Sequence, residues 1–92
     1  MYFITSVSEK HGFRCVGYVS KLEDAIDIVE SNSGDLNEAG YYPYAVIENV
    51  EEGIYQYDQN PIWFKFNEDT ELYEKSERPS FIPNNHVGFG IG

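Results

Sequence analysis

The chain is short of cysteine, of histidine and of positive charge, and each shortage removes a class of function. Its one cysteine, Cys15, has no partner for an internal disulfide. Two histidines, His11 and His86, stand far apart, and with a single thiol they match no metal-ligand spacing. The acidic stretches "GDLNEAG" and "NEDTE" lack the periodic oxygen ligands and the glycine of a calcium loop. Neither a metal nor a cofactor is expected. Six basic residues against sixteen acidic ones give a formal charge of −10, whose field repels phosphate backbones and anionic membranes. Direct nucleic-acid binding is therefore disfavoured. No segment approaches the roughly 18 apolar residues of a membrane helix, and "MYFITSVSE" has neither the basic start nor the apolar run of a signal peptide. A soluble, cytoplasmic protein is the expectation.

Core material, by contrast, is ample. Apolar residues make up 41% of the 92 and aromatics 16%, with eight Tyr, six Phe and one Trp, enough for one domain over residues 1–92. "YFITSV" (2–7) and "FRCVGYV" (13–19) are β-branched and aromatic and flank the polar "SEKHG", which spells a hairpin. A helix is predicted over 21–31: Ser20 with Glu23 makes a capping box, and Gly34 stands as the stop. At about 100° per residue, Leu22, Ala25, Ile26 and Val29 share one arc, which should pack on a sheet. "GDLNEAGYYP" is a loop by composition and "YAVIENV" (44–50) a strand. "IYQYDQNP" (54–61) is a short edge piece or a loop, because of Asn60-Pro61. "IWFKFN" (62–67) and "ELYEKSE" (71–77) around "EDT" form a second hairpin, and "RPSFIPNN" should then run over the surface. The order reads β-β-α-β-β, with a further strand open at the end. This is an antiparallel sheet of four to five strands with one helix on a face, class α+β.

The closing "HVGFGIG" (86–92) is where a nucleotide reading would begin. A dinucleotide-type phosphate loop needs its glycines at a strand-to-helix turn, and here the sequence stops at Gly92. Period two instead places Val87, Phe89 and Ile91 on one side and Gly88, Gly90 and Gly92 on the other, a terminal strand with a smooth back. Phe89 would pin it, and the edge offers a route to a homodimer through residues 86–92. Cys15, mid-strand among alternating apolar neighbours, is expected to be a small buried hydrophobe. His11 and His86 fall in exposed loops without a nucleophile signature, and carboxylate pairs are frequent only because acids are. The catalytic set is empty, and no enzyme is expected.

Two surface features remain. Glu23, Asp24, Asp27 and Glu30 occupy an arc of about 120° opposite the helix's apolar face, with no lysine four residues on to compensate. Such a face is either solvated or a dock for a basic protein patch. Tyr41, Tyr42 and Tyr44 surround Pro43, with Tyr55, Tyr57 and Trp63 further on; without accompanying bases this cluster suits a protein partner better than a nucleic acid.

The strings "MYFIT", "RCVGY" with "LEDAIDIVE", "YAVIENVEEG", "WFKFN" and "GFGIG" resemble a group of short uncharacterised proteins from gut Firmicutes and their mobile elements. That resemblance implies a standalone small intracellular protein, and the mobile-element setting implies a regulatory or counter-defence role. The leading expectation is thus a non-catalytic binding module that docks on a basic surface of another protein, as an inhibitor or regulator of a nucleic-acid-handling protein. A small-molecule or nucleotide binder, monomeric or homodimeric, is the alternative, stacking a ring on the tyrosine-rich loop and the glycine strand, with Arg14, Lys65 or Arg78 converging where the ligand is an anion. A small hydrolase with His11 or His86 as base comes third.

Overall fold

A computed structural model describes residues 1–50 and 61–82. The tail strand over 86–92 with Phe89, the homodimer through it, His86, Tyr55 and Tyr57, and the edge piece over 54–61 apart from Pro61 all lie outside the described residues.

The elements are β1 (Tyr2–Ser8), β2 (Gly12–Val19), α1 (Leu22–Glu30), β3 (Tyr44–Asn49), β4 (Ile62–Asn67) and β5 (Leu72–Ser76). They build one antiparallel sheet in the order β2-β1-β3-β4-β5, with the helix packed on one face, an α+β architecture. The two hairpins follow the sequence pattern closely, and local chemistry explains their turns. Ser8 Oγ accepts the N–H groups of Lys10 and His11 at 3.2 and 3.1 Å, and Gly12, at φ +82°, takes a conformation that a side chain would strain. Asn67 Oδ1 does the same in the second turn, accepting the N–H of Asp69 at 2.8 Å.

Strand alternation then sorts the core. Ile4, Ala45, Ile47, Phe64 and Tyr73 meet Ala25 and Val29 on the helix side, while Val7, Val46 and Trp63 meet Ile82 on the second face. Each large side chain so buried is worth about 1.5–3 kcal/mol. β3 sits in the middle of the sheet with both faces covered, which is why "AVI" reads as a continuous apolar run and why Glu48 is only 1% exposed. The prolines of "RPSFI" do not send this stretch over the surface as expected. Ile82 is buried and Phe81 half-buried on the second face, and Arg78 Nη1 donates to the Ile82 carbonyl.

The helix ends differ from the prediction. Its N-cap is Lys21, extended at φ −120°, ψ 136° and making no side-chain capping bond, so the Ser20–Glu23 capping box does not form. One residue of displacement takes the serine hydroxyl out of reach of the first free N–H groups. At the other end the stop is Asn32 rather than Gly34. Asn32 takes φ 49°, its N–H bonds to Val29 O at 3.0 Å, and that of Ser33 bonds to Ile28 O at 3.0 Å. These two reversed bonds close the last turn as a Schellman cap, in which asparagine is the usual substitute for glycine.

Cys15 is exposed, contrary to expectation. Ile4 pairs with Gly17 and Thr5 with Cys15, so Val16 is an extra residue in a bulge. Among the described residues β2 is also the outer strand, so none of their strands covers Cys15 from that side.

Candidate functional site

The helix presents Glu23, Asp24, Asp27 and Glu30 to solvent, because Ala25 and Val29 turn the opposite side to the sheet. Glu23 and Asp24 fall in the first turn, where the helix dipole favours acids; Asp27 and Glu30 fall toward the end, where it opposes them, and the last turn holds no basic residue. Among the described residues the ion pair found is Arg14 with Glu38, at 3.2 Å, and it involves none of these four.

The negative surface continues past the helix. Ser31, one turn beyond Asp27 on the same side, borders a groove of about 500 Å³ whose wall also holds Asp35, Glu68 and Glu71, with Phe66 beside them and no basic residue among its lining. Four of the residues that shape it are left-handed without being glycine: Asn32 at φ 49°, Asp35 at 56°, Ala39 at 58° and Glu71 at 59°. Asparagine and aspartate tolerate this region, whereas Ala39 and Glu71 hold it at a cost of about 1–2 kcal/mol each. Asn37, 6% exposed, is what fixes the loop. Its Oδ1 accepts Gly40 N–H at 2.7 Å, its Nδ2 donates to Tyr42 O at 2.9 Å, and its own N–H donates to Asn32 Oδ1 at 3.2 Å. No spacing or motif marks Asn37 in the sequence; the density of Asn, Asp and Gly in "SNSGDLNEAG" is the one signal of such a loop.

The three tyrosines do not form a single rim. Tyr41 is 56% exposed, with its ring 4.8 Å from that of His11. Tyr42 lies under Arg14, whose guanidinium carbon is 5.0 Å from the ring centroid, a cation–π contact that joins the Glu38 pair and a 3.5 Å bond to Leu36 O in holding Arg14. Tyr44 is on the other side of the sheet. As the first residue of β3 it alternates with Ala45, so its ring packs edge-on to Phe81 at 5.7 Å on the second face. Thus the structure brings Tyr41 and Tyr42 together on the loop that leads away from the helix, and separates Tyr44 from them and from the helix acids.

The cations named for an anionic ligand are also apart. Arg14 reaches Leu36 on the helix side, whereas Lys65 alternates with Phe64 and Phe66 and so projects from the second face. Among the described residues no group of three or more His, Cys, Asp or Glu side chains is placed to hold a metal ion. No helix among them is long and apolar enough to cross a membrane. Compared with family models, with curated proteins and with solved structures, the chain matches none.

Proposed function

We propose that this chain is a non-catalytic protein-binding module of the bacterial or phage cytoplasm, whose acidic helix face receives a basic surface of another protein. The carrying observation is that Asp27 and Glu30 oppose the helix dipole with no ion pair to a cation among the described residues, an arrangement that folding does not require. The groove beside them extends the same charge through Asp35, Glu68 and Glu71 and supplies Phe66 as an apolar wall for a lysine or arginine stem. Tyr41, exposed at the end of the same loop, adds an aromatic contact of the kind interfaces favour. A protein whose own ligand is nucleic acid presents such a basic surface, so inhibition or regulation by charge mimicry follows from the chemistry.

The experiment is affinity capture from a bacterial lysate, followed by titration of the captured protein against the wild type and an Asp24→Lys/Asp27→Lys variant. Both positions are exposed, so stability holds. Affinity should fall at least tenfold in the variant and weaken with added salt in the wild type. Equal, salt-insensitive binding by the two proteins would sink the reading.

A further inference from the structure

The loop after the helix has two sides of opposite character. Toward β4 and β5 it borders the acidic groove, through Asn32 and Asp35; toward β2, Ser33, Gly34 and Leu36 border a second cleft, of about 450 Å³, between that strand and the helix. Its walls are apolar, with Ile4, Val16 and Val19 from the strands, Ile28 from the helix and Leu36 from the loop, and it holds Arg14 with no acid in its lining. Gly17 makes the space. It pairs with Ile4, a residue of the helix-side core, next to the bulge at Val16, and a Cβ placed on it meets no described atom within 4 Å. A glycine inside a strand weakens it and marks a place where a ligand or another backbone comes close, and bulges concentrate beside active sites.

The guanidinium of Arg14 stands at the Leu36 end of this cleft. Nη1 meets one Glu38 oxygen at 3.2 Å, Nη2 reaches Leu36 O at 3.5 Å, and Nε is buried with no partner among the described residues. Arginine has more N–H donors than these contacts use, and its planar fork fits both oxygens of a carboxylate.

We propose that the cleft binds a small carboxylate with an apolar body, the carboxylate on Arg14 and the body over Gly17 against Ile4, Val19 and Ile28. The volume falls within the roughly 300–1,000 Å³ of small-molecule sites. Burial of the apolar body drives binding, and the one cation sets its orientation. The pair with Glu38 is a surface one, with the glutamate side chain 46% exposed, and such pairs contribute little, so a carboxylate that also buries an apolar body displaces it. The overall charge of −10 does not exclude an anion here, because at about 0.15 M salt charges beyond about 8 Å are screened, and the lining carries no acid.

Octanoate is the probe, titrated into the protein at about 0.15 M salt and followed through backbone amide resonances. Saturable shifts at Gly17, Ile28 and Leu36 are expected, with half-saturation below about 10 mM, and octan-1-ol, which has the same tail and no charge, should bind about tenfold more weakly. Gly17→Val fills the cleft where the backbone is not left-handed and the space is free, so it should fold and lose binding. Glu38→Gln releases Arg14 from its ion pair and should tighten octanoate severalfold, which a merely apolar cleft would not do. That surface change decides even if Gly17→Val does not fold: an affinity no higher than wild type overturns the proposal. So do an absence of saturation in the wild type, octan-1-ol or octylammonium binding as well as octanoate, and octanoate binding that a folded Gly17→Val leaves unchanged.

Discussion

The hydroxyl of Tyr73 donates a 2.6 Å hydrogen bond to the backbone carbonyl of Tyr42, tying the outer strand β5 to the loop that holds the acidic groove. Asn37 Nδ2 donates to the same oxygen, so one carbonyl joins the strand and the fixed loop. Burial pushes the phenol above its ordinary value of 10.0, with the Asn37 amide opposing.

Tyr73→Phe keeps the ring against Phe66 and removes this bond, while Tyr42 O keeps its bond to Asn37. The expected loss is about 1 kcal/mol at neutral pH, read from chemical denaturation. A pH dependence goes with it. The phenol titrates higher in the folded state than in the unfolded chain, so its neutral form's contribution is complete below pH 10.0 and is lost as pH rises above it. Wild type should therefore lose stability faster than the variant above that pH, and the gap between them should narrow.

Thr5 is fully buried on the second face between Cys15 and Val46, and among the described residues its Oγ1 has no hydrogen-bond partner. Valine has the same shape and the same preference for strands. Thr5→Val removes the desolvated hydroxyl without opening a cavity, so it should gain about 1 kcal/mol, seen as a higher urea midpoint with an unchanged slope.

Cys15 should react with a chromogenic thiol reagent under native conditions at close to its rate in denaturant, because it is exposed. Protection of the thiol in the folded protein would contradict the bulge geometry around it. The same residue marks where reading the sequence ran out. Alternation in "FRCVGYV" gives the strand and its hairpin partner, since these depend on neighbours close along the chain. Whether a residue of that strand is covered depends on the sheet order, which makes β2 an edge, and on a bulge that local pattern does not mark. The helix acids were legible for the opposite reason, since Ala25 and Val29 fix the buried side and the rest must face water. The groove was not, because it joins Asp35 to Glu68 and Glu71 across two loops distant in sequence. Tyr44 was misplaced by proximity: two residues from Tyr42, it is on the opposite side of the sheet because a strand begins there.

The two ends of the helix separate stability from binding. Lys21 stands at the N-cap in extended conformation with no capping bond, so Lys21→Asp supplies the missing acceptor and should add about 1 kcal/mol. Glu30 opposes the dipole in a last turn that has no base, so Glu30→Lys should add about 0.5 kcal/mol. Both variants should melt higher than the wild type. Toward a basic partner they must diverge. Lys21→Asp removes a positive charge from the acidic side and should tighten binding, whereas Glu30→Lys places like charge against like and should slow association and lower affinity. If both variants melt higher and bind the captured partner equally, the acids are a solvated surface. If Glu30→Lys melts lower, the carboxylate has a structural role that the exposed helix face does not account for.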